Sequence, residues 1–132
     1  MAVYKDAEQL KAMMGELWTK MVKETPFGKG LEENGINILF IVEDPDLAVF
    51  IDHNGVLFGE EALAPTPVVT MKQSGDTVHK YWLKQINVPK AMATRQIKSK
   101  GPIAKALALQ PLLKPGFAIY REMCQKYNLP LE

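Results

Sequence analysis

Reactive side chains are few in this sequence, and their spacing is poor for catalysis. His53 and His79 are the two histidines, and Cys124 is the one cysteine. A structural zinc site takes four ligands, commonly Cys and His in short paired spacings, and three such residues scattered along the chain do not supply them. Cys124 has no partner for an internal disulfide, and its place in an apolar helical pattern reads as a buried, inert thiol. Asp44 and Asp46 flank Pro45 in a turn, where aspartates usually bond to nearby backbone groups. His53 belongs to a His53-Asn54-Gly55 turn and His79 to a helix, neither with a partner recognisable from spacing. Gly28-Lys29-Gly30 lacks the strand before and the helix after that define a phosphate loop. The expectation is a non-catalytic chain with no catalytic residue, no metal and no cofactor.

The elements that would position any site read clearly. Leu10, Met13, Met14, Leu17, Trp18, Met21 and Val22 recur at three- and four-residue steps, the stripe of an amphipathic helix. Thr25-Pro26-Phe27-Gly28 ends that helix, because Pro26 disfavours helical geometry at Thr25. Ile36 to Val42 is apolar at nearly every position and predicts a strand buried on both faces. Leu47 to Asp52 is a second strand. Asn54-Gly55 supplies the positive φ angles of a tight hairpin, and Val56 to Gly59 forms the third strand. Together they predict an antiparallel meander.

Glu60 to Pro67 reads as a loop, and Val68 to Lys72 as a fourth strand. Ser74-Gly75-Asp76 opens a helix whose face carries Val78, Tyr81, Trp82, Gln85 and Ile86. Asn87-Val88-Pro89 ends it, and a short helical turn through Ala91-Met92-Ala93 follows. Arg95 to Lys100 is a fifth strand, polar enough for a sheet edge. Pro102 suits the first turn of the next helix, which is apolar almost all round from Ile103 to Leu109. The last helix runs from about Phe117 to Tyr127, with Phe117, Tyr120, Met123, Cys124 and Tyr127 on one face. No repeat or linker divides the chain, so its 132 residues predict one domain.

Charge is unevenly spread. Met1 to Asp76 holds 13 acidic and 6 basic residues, whereas Thr77 to Arg121 holds 9 basic residues and no acidic one. One surface is therefore expected to meet an anion. Nucleic acid is not the expected partner: Arg95 is the only arginine in the cluster Lys84 to Lys105, and no nucleic-acid-binding motif accompanies it. The longest apolar run, Ile38 to Val42, is too short to span a bilayer. With no signal-peptide pattern at the N-terminus, the expected location is the cytoplasm.

Several motifs between Val68 and Pro115 carry a resemblance. They are Val68-Val69-Thr70-Met71, the helix around Tyr81-Trp82-Leu83, and Gln85-Ile86-Asn87-Val88-Pro89-Lys90-Ala91-Met92. Arg95-Gln96-Ile97-Lys98-Ser99-Lys100-Gly101 and Ala104-Lys105-Ala106-Leu107-Ala108-Leu109 continue the series. In that order they resemble the sterol-carrier-protein type two (SCP-2) family of lipid-transfer domains. The chain departs from the family's pattern at Gln85 and Thr94, where glycine is frequent, and at Pro102. The resemblance implies an α+β fold, SCP-2-like: a twisted five-stranded, mainly antiparallel sheet covered by helices, with an apolar tunnel between them. It also implies that the ligand is a hydrophobic small molecule such as a fatty acid, fatty acyl-CoA, phospholipid or sterol-like compound.

The residues expected to line that tunnel are Met71, Trp82, Ile86, Met92, Ile97, Ile103, Leu107, Leu112, Leu113, Phe117 and Tyr120. Unbranched thioethers such as Met71 and Met92 repack around guests of different shape. Lys90, Arg95, Lys98, Lys100 and Lys105 are the expected contacts for an anionic headgroup or a transiently touched anionic membrane surface, each worth about 1 kcal/mol there. The alternative is an accessory or interaction subunit of the same fold with a filled core. Its C-terminal helix would offer Phe117, Tyr120 and Tyr127 as a homodimer or partner face.

Overall fold

Asp6 starts the first helix, α1 (Ala7–Glu24), by accepting a hydrogen bond from the Gln9 amide at 2.8 Å, which satisfies one of the amides a helix start leaves unpaired. The computed structural model describes residues 2–131. The whole predicted stripe of α1, from Leu10 to Val22, is buried. Beyond Thr25 and Pro26 the chain does not run on as a loop. It forms a second helix, α2 (Phe27–Asn34), whose Phe27 and Leu31 point into the core. Two glycines hid this helix, since each costs a helix about 1 kcal/mol relative to alanine. Packing overrides that cost. Gly28 lies so close to α1 that a Cβ there would strike the Val22 carbonyl.

Five strands form one sheet: β1 (Ile38–Glu43), β2 (Leu47–Asp52), β3 (Gly55–Phe58), β4 (Val69–Ser74) and β5 (Lys98–Lys100), in the order β3-β2-β1-β4-β5. The predicted meander is present, with β1, β2 and β3 paired antiparallel. β4 then returns to the other edge of β1 and pairs parallel to it, Phe40 opposite Met71. Asn37 steers that return: its side chain accepts from the Val68 amide at 2.6 Å, and its carbonyl accepts from the Val69 amide at 3.2 Å. The segment expected as a loop after β3 contains a 3₁₀ turn, Gly59–Leu63. It places Ala62 over Leu39 and Phe50 on the outer face of the sheet, so β1 is covered on both sides as its sequence required.

The helices occupy the other face. Ser74 caps α3 (Gly75–Trp82) by accepting from the Thr77 amide. α3 stops earlier than its apolar pattern suggests. Lys84 takes a left-handed conformation (φ 61), and the Gln85 amide bonds back to the Lys80 carbonyl at 2.8 Å. Asn87-Val88-Pro89 proves to be a start, not a stop: Asn87 caps α4 (Val88–Ala93), with Pro89 in its first turn where no amide is needed.

β5 is half its predicted length. Arg95 turns at φ 65, and the Ile97 amide bonds to Ala91 on α4, so residues 95–97 belong to the helix end and not to the sheet. β5 sits at the edge, as its polar sequence implied. The apolar stretch after Pro102 divides into α5 (Ile103–Ala108) and a 3₁₀ turn, Gln110–Leu113. α6 (Lys114–Lys126) then packs against α1 and α3.

Candidate functional site

Alternation along the strands decides what faces the helices. Ile38, Phe40 and Val42 of β1, Val49 of β2, and Met71 and Gln73 of β4 all lie on the helix side and form the floor of an apolar cavity of about 80 Å³. Met14 and Trp18 of α1 and Phe27 of α2 form one wall; Val78, Tyr81 and Trp82 of α3 form another. Val88, Ile97, Ala106, Leu107, Leu109, Gln110 and Leu113 close it over the top. The roof is the segment whose apolar residues ran almost all round, and only part of it is buried: Ala106 and Leu109 are covered, while Ala104 and Ala108 face solvent.

Aromatic packing keeps the cavity small. Trp18 stacks on Phe40 with centroids 5.7 Å apart and meets Trp82 edge-on at 5.4 Å. Trp82 also packs against Phe117 and Tyr81. Such pairs add roughly 0.5–1.5 kcal/mol beyond the area they bury. Desolvation pushes the Tyr81 phenol up to about 12, so it stays protonated at neutral pH. Outside the cavity, a more open groove of about 650 Å³ runs between α4 and the start of α6, lined by Lys84, Ile86, Pro89, Pro111, Lys114 and Phe117 among others.

Of the residues expected to line a tunnel, Met71, Trp82, Ile97, Leu107 and Leu113 are in the cavity wall, and Ile86 and Phe117 are in the groove. Met92, Ile103, Leu112 and Tyr120 line neither. Leu112 is turned toward Gly30 of α2. Met14, Trp18, Phe27 and the β1 and β2 residues went unassigned. The signal for β1 was present, because a cavity-facing Met71 puts Phe40 on the same face once β1 and β4 are paired.

Tyr120 is instead the centre of a buried polar network. Its hydroxyl lies 2.6 Å from the Tyr4 hydroxyl and 2.6 Å from Nδ1 of His79. All three side chains are almost wholly inaccessible. Desolvation holds His79 below the ordinary histidine range, outweighing the Pro130 carbonyl and Asp76, which favour its charged form. Its Nε2 is buried without a well-formed hydrogen bond among the described residues. Burial also raises Cys124, next to this network, above the usual thiol range. With Tyr120 turned inward, the aromatic face expected for a homodimer is not a surface. Phe117 and Tyr127 are half-buried against the same core.

The cations expected at a headgroup are all exposed: Lys90, Arg95, Lys98, Lys100 and Lys105. Register places two of them away from the cavity. Lys98 lies opposite Lys72, and Lys100 opposite Thr70; both are one residue out of phase with Met71, hence on the outer face. The lysines nearest the cavity are Lys84 and Lys114, in the groove.

A five-stranded sheet of this order, covered on one face by helices above an apolar cavity, has the architecture of sterol carrier protein 2 domains. Among solved structures, the chain superposes on sterol carrier protein 2 from Yarrowia lipolytica in its apo form with a TM-score of 0.64 and 15% identity, over 80% of this chain and 90% of that one. It superposes on sterol carrier protein domain 2 of Helicoverpa armigera with a TM-score of 0.63 and 19% identity, over 86% and 91%. The UbiJ-SCP2 ubiquinone synthesis protein gives a TM-score of 0.58 and 14% identity, over 83% and 93%. No family model and no curated protein matches the sequence. The expected α+β, SCP-2-like fold with its mainly antiparallel sheet is thus the observed one.

Proposed function

We propose that this chain binds a hydrophobic molecule between its sheet and its helices, and carries or presents it without transforming it. The observation that carries the reading is the cavity, whose wall is apolar except for Gln73, Gln110 and the ring heteroatoms of Tyr81 and Trp82. Met71, Trp82, Ile97, Leu107 and Leu113 would contact the guest directly. Each guest methylene taken out of water contributes about 0.8 kcal/mol, so no polar anchor is needed for weak binding. The sterol carrier protein neighbours support the reading through their shared fold. The buried histidine, tyrosines and cysteine support the non-catalytic part, since none of His79, Tyr4, Tyr120 or Cys124 lines the cavity. An unpaired cysteine suits a reducing compartment such as the cytoplasm.

The test is displacement of a fluorescent fatty acid, together with native mass spectrometry of the purified chain. Saturable binding that is lost in Ala106→Leu, a variant that adds bulk inside the cavity, supports the proposal. No binding at micromolar protein would sink it. A second reading, an accessory subunit with a filled core, draws on the small enclosed volume: about 80 Å³ against the ~300 Å³ and more usual for small-molecule sites. The same displacement experiment separates the two.

A further inference from the structure

The cavity and the groove form one passage, because Tyr81, Val88, Leu107 and Gln110 line both. Polarity changes in one direction along it. The residues confined to the cavity, such as Trp18, Phe27 and Val49, are apolar apart from Gln73. Gln110 offers an amide at the neck. Lys84 and Lys114 line the groove beyond, and no carboxylate does.

Lys84 is held in place by the fold. The left-handed turn that ends α3 falls on it, and its Nζ lies 5.0 Å above the Phe117 ring. Neither lysine has a carboxylate within ion-pairing distance among the described residues. The groove is therefore an apolar floor of Ile86, Pro89, Pro111 and Phe117 beneath two cations without counter-charges. A free anion would leave that floor unused, and a neutral hydrocarbon would leave the cations unused.

Volume points the same way. The enclosed cavity of about 80 Å³ admits a short part of a guest, and the groove of about 650 Å³ has room for the rest. We infer that the groove is the head-end subsite of the cavity, and that its ligand is a single-chain amphiphile ending in a carboxylate or phosphate. The tail enters past Gln110, and the head meets Lys84 and Lys114. The inference rests on the cavity being a ligand site.

The experiment titrates the full chain at low salt and mildly alkaline pH with decanoate, decyl phosphate, decanol and inorganic phosphate. It follows the fluorescence of Trp18 and Trp82, which line the cavity. Decanoate and decyl phosphate should bind about tenfold more tightly than decanol, as two favourable ion contacts allow. The double variant Lys84→Met/Lys114→Met should lose that preference and keep its affinity for decanol; Lys84→Arg/Lys114→Arg should keep both. A melt of each variant checks that the fold is intact. Equal binding of decanol and decanoate by the unaltered chain would overturn the head-end subsite and leave the cavity reading standing. Binding of none of the three chain-bearing probes would overturn both. Inorganic phosphate binding as tightly as decyl phosphate would identify a free-anion site and overturn the amphiphile.

Discussion

The hydroxyls of Tyr4 and Tyr120 meet 2.6 Å apart, joining the segment before α1 to the middle of α6 across 116 residues of chain. His79 of α3 completes the junction at the same distance from the Tyr120 oxygen. A buried donor or acceptor that loses its partner costs about 1–3 kcal/mol. Tyr120→Phe strands both Tyr4 and His79 and should cost about 2–4 kcal/mol in urea unfolding. Tyr4→Phe leaves the Tyr120–His79 contact in place and should cost about 1 kcal/mol. Equal losses from the two variants would show that Tyr120 is not the shared centre.

Protonation of His79 should couple to stability. The fold lowers its pKa below the unfolded value of about 6.5, so it favours the neutral ring. The unfolded chain therefore binds more protons as the pH falls through about 6.5. Stability is full above that pH and declines as the pH drops toward the lower, folded-state pKa, below which the loss levels off. His79→Gln removes the titration. Its unfolding free energy, measured from about pH 8 to pH 5, should be flatter than that of the parent chain. Parallel profiles would locate the acid sensitivity elsewhere.

Gly116 brings α6 close to α3 and α1. A Cβ there would lie 2.6 Å from a Trp82 ring carbon and 3.2 Å from the Met21 sulfur. Gly116→Ala should cost about 1–3 kcal/mol by overpacking and should shift the emission of Trp82, which also lines the cavity. Gly30→Ala meets only the end of the Leu112 side chain, which can move aside. It should cost less, with a melting temperature closer to that of the parent chain.

Lys72 and Lys98 stand directly opposite one another on the β4–β5 pair. Like charges in that relation are destabilising by a few tenths of a kcal/mol or more. Lys72 has partial relief from Glu43 at 3.9 Å. Lys98→Glu should raise stability by about 0.2–1 kcal/mol in low salt, and the gain should shrink as salt is added. A gain unaffected by salt would mean that charge is not its source.

Much of the fold was legible because it follows from periodicity. The α1 stripe, the alternation of β2 and the Asn54-Gly55 turn each correspond to one local structure. What was missed has a common physical origin. α2 is stabilised by Phe27 and Leu31 packing on α1, a tertiary gain that no local pattern records against two glycines. α3 and β5 were read too long because Lys84 and Arg95 take left-handed conformations that those residue types do not advertise. The cavity followed the same division. Its roof announced itself through an apolar segment, whereas its floor required the parallel pairing of β1 with β4. Tyr120 was misplaced because a phenol on an apolar face reads alike whether it touches a guest or bonds to a buried histidine.

The parallel pairing in the middle of the sheet also orders events during synthesis. A nascent chain can fold β1, β2 and β3 as soon as they leave the ribosome, since each pairs with its neighbour in sequence. The other edge of β1, through Ile38-Leu39-Phe40-Ile41-Val42, stays open until Val69–Ser74 has emerged. An apolar strand edge left open is a template for pairing with other chains. A stalled or truncated product ending before β4 therefore displays the most adhesive strand of the protein, and should engage chaperones or aggregate where the full-length chain does not.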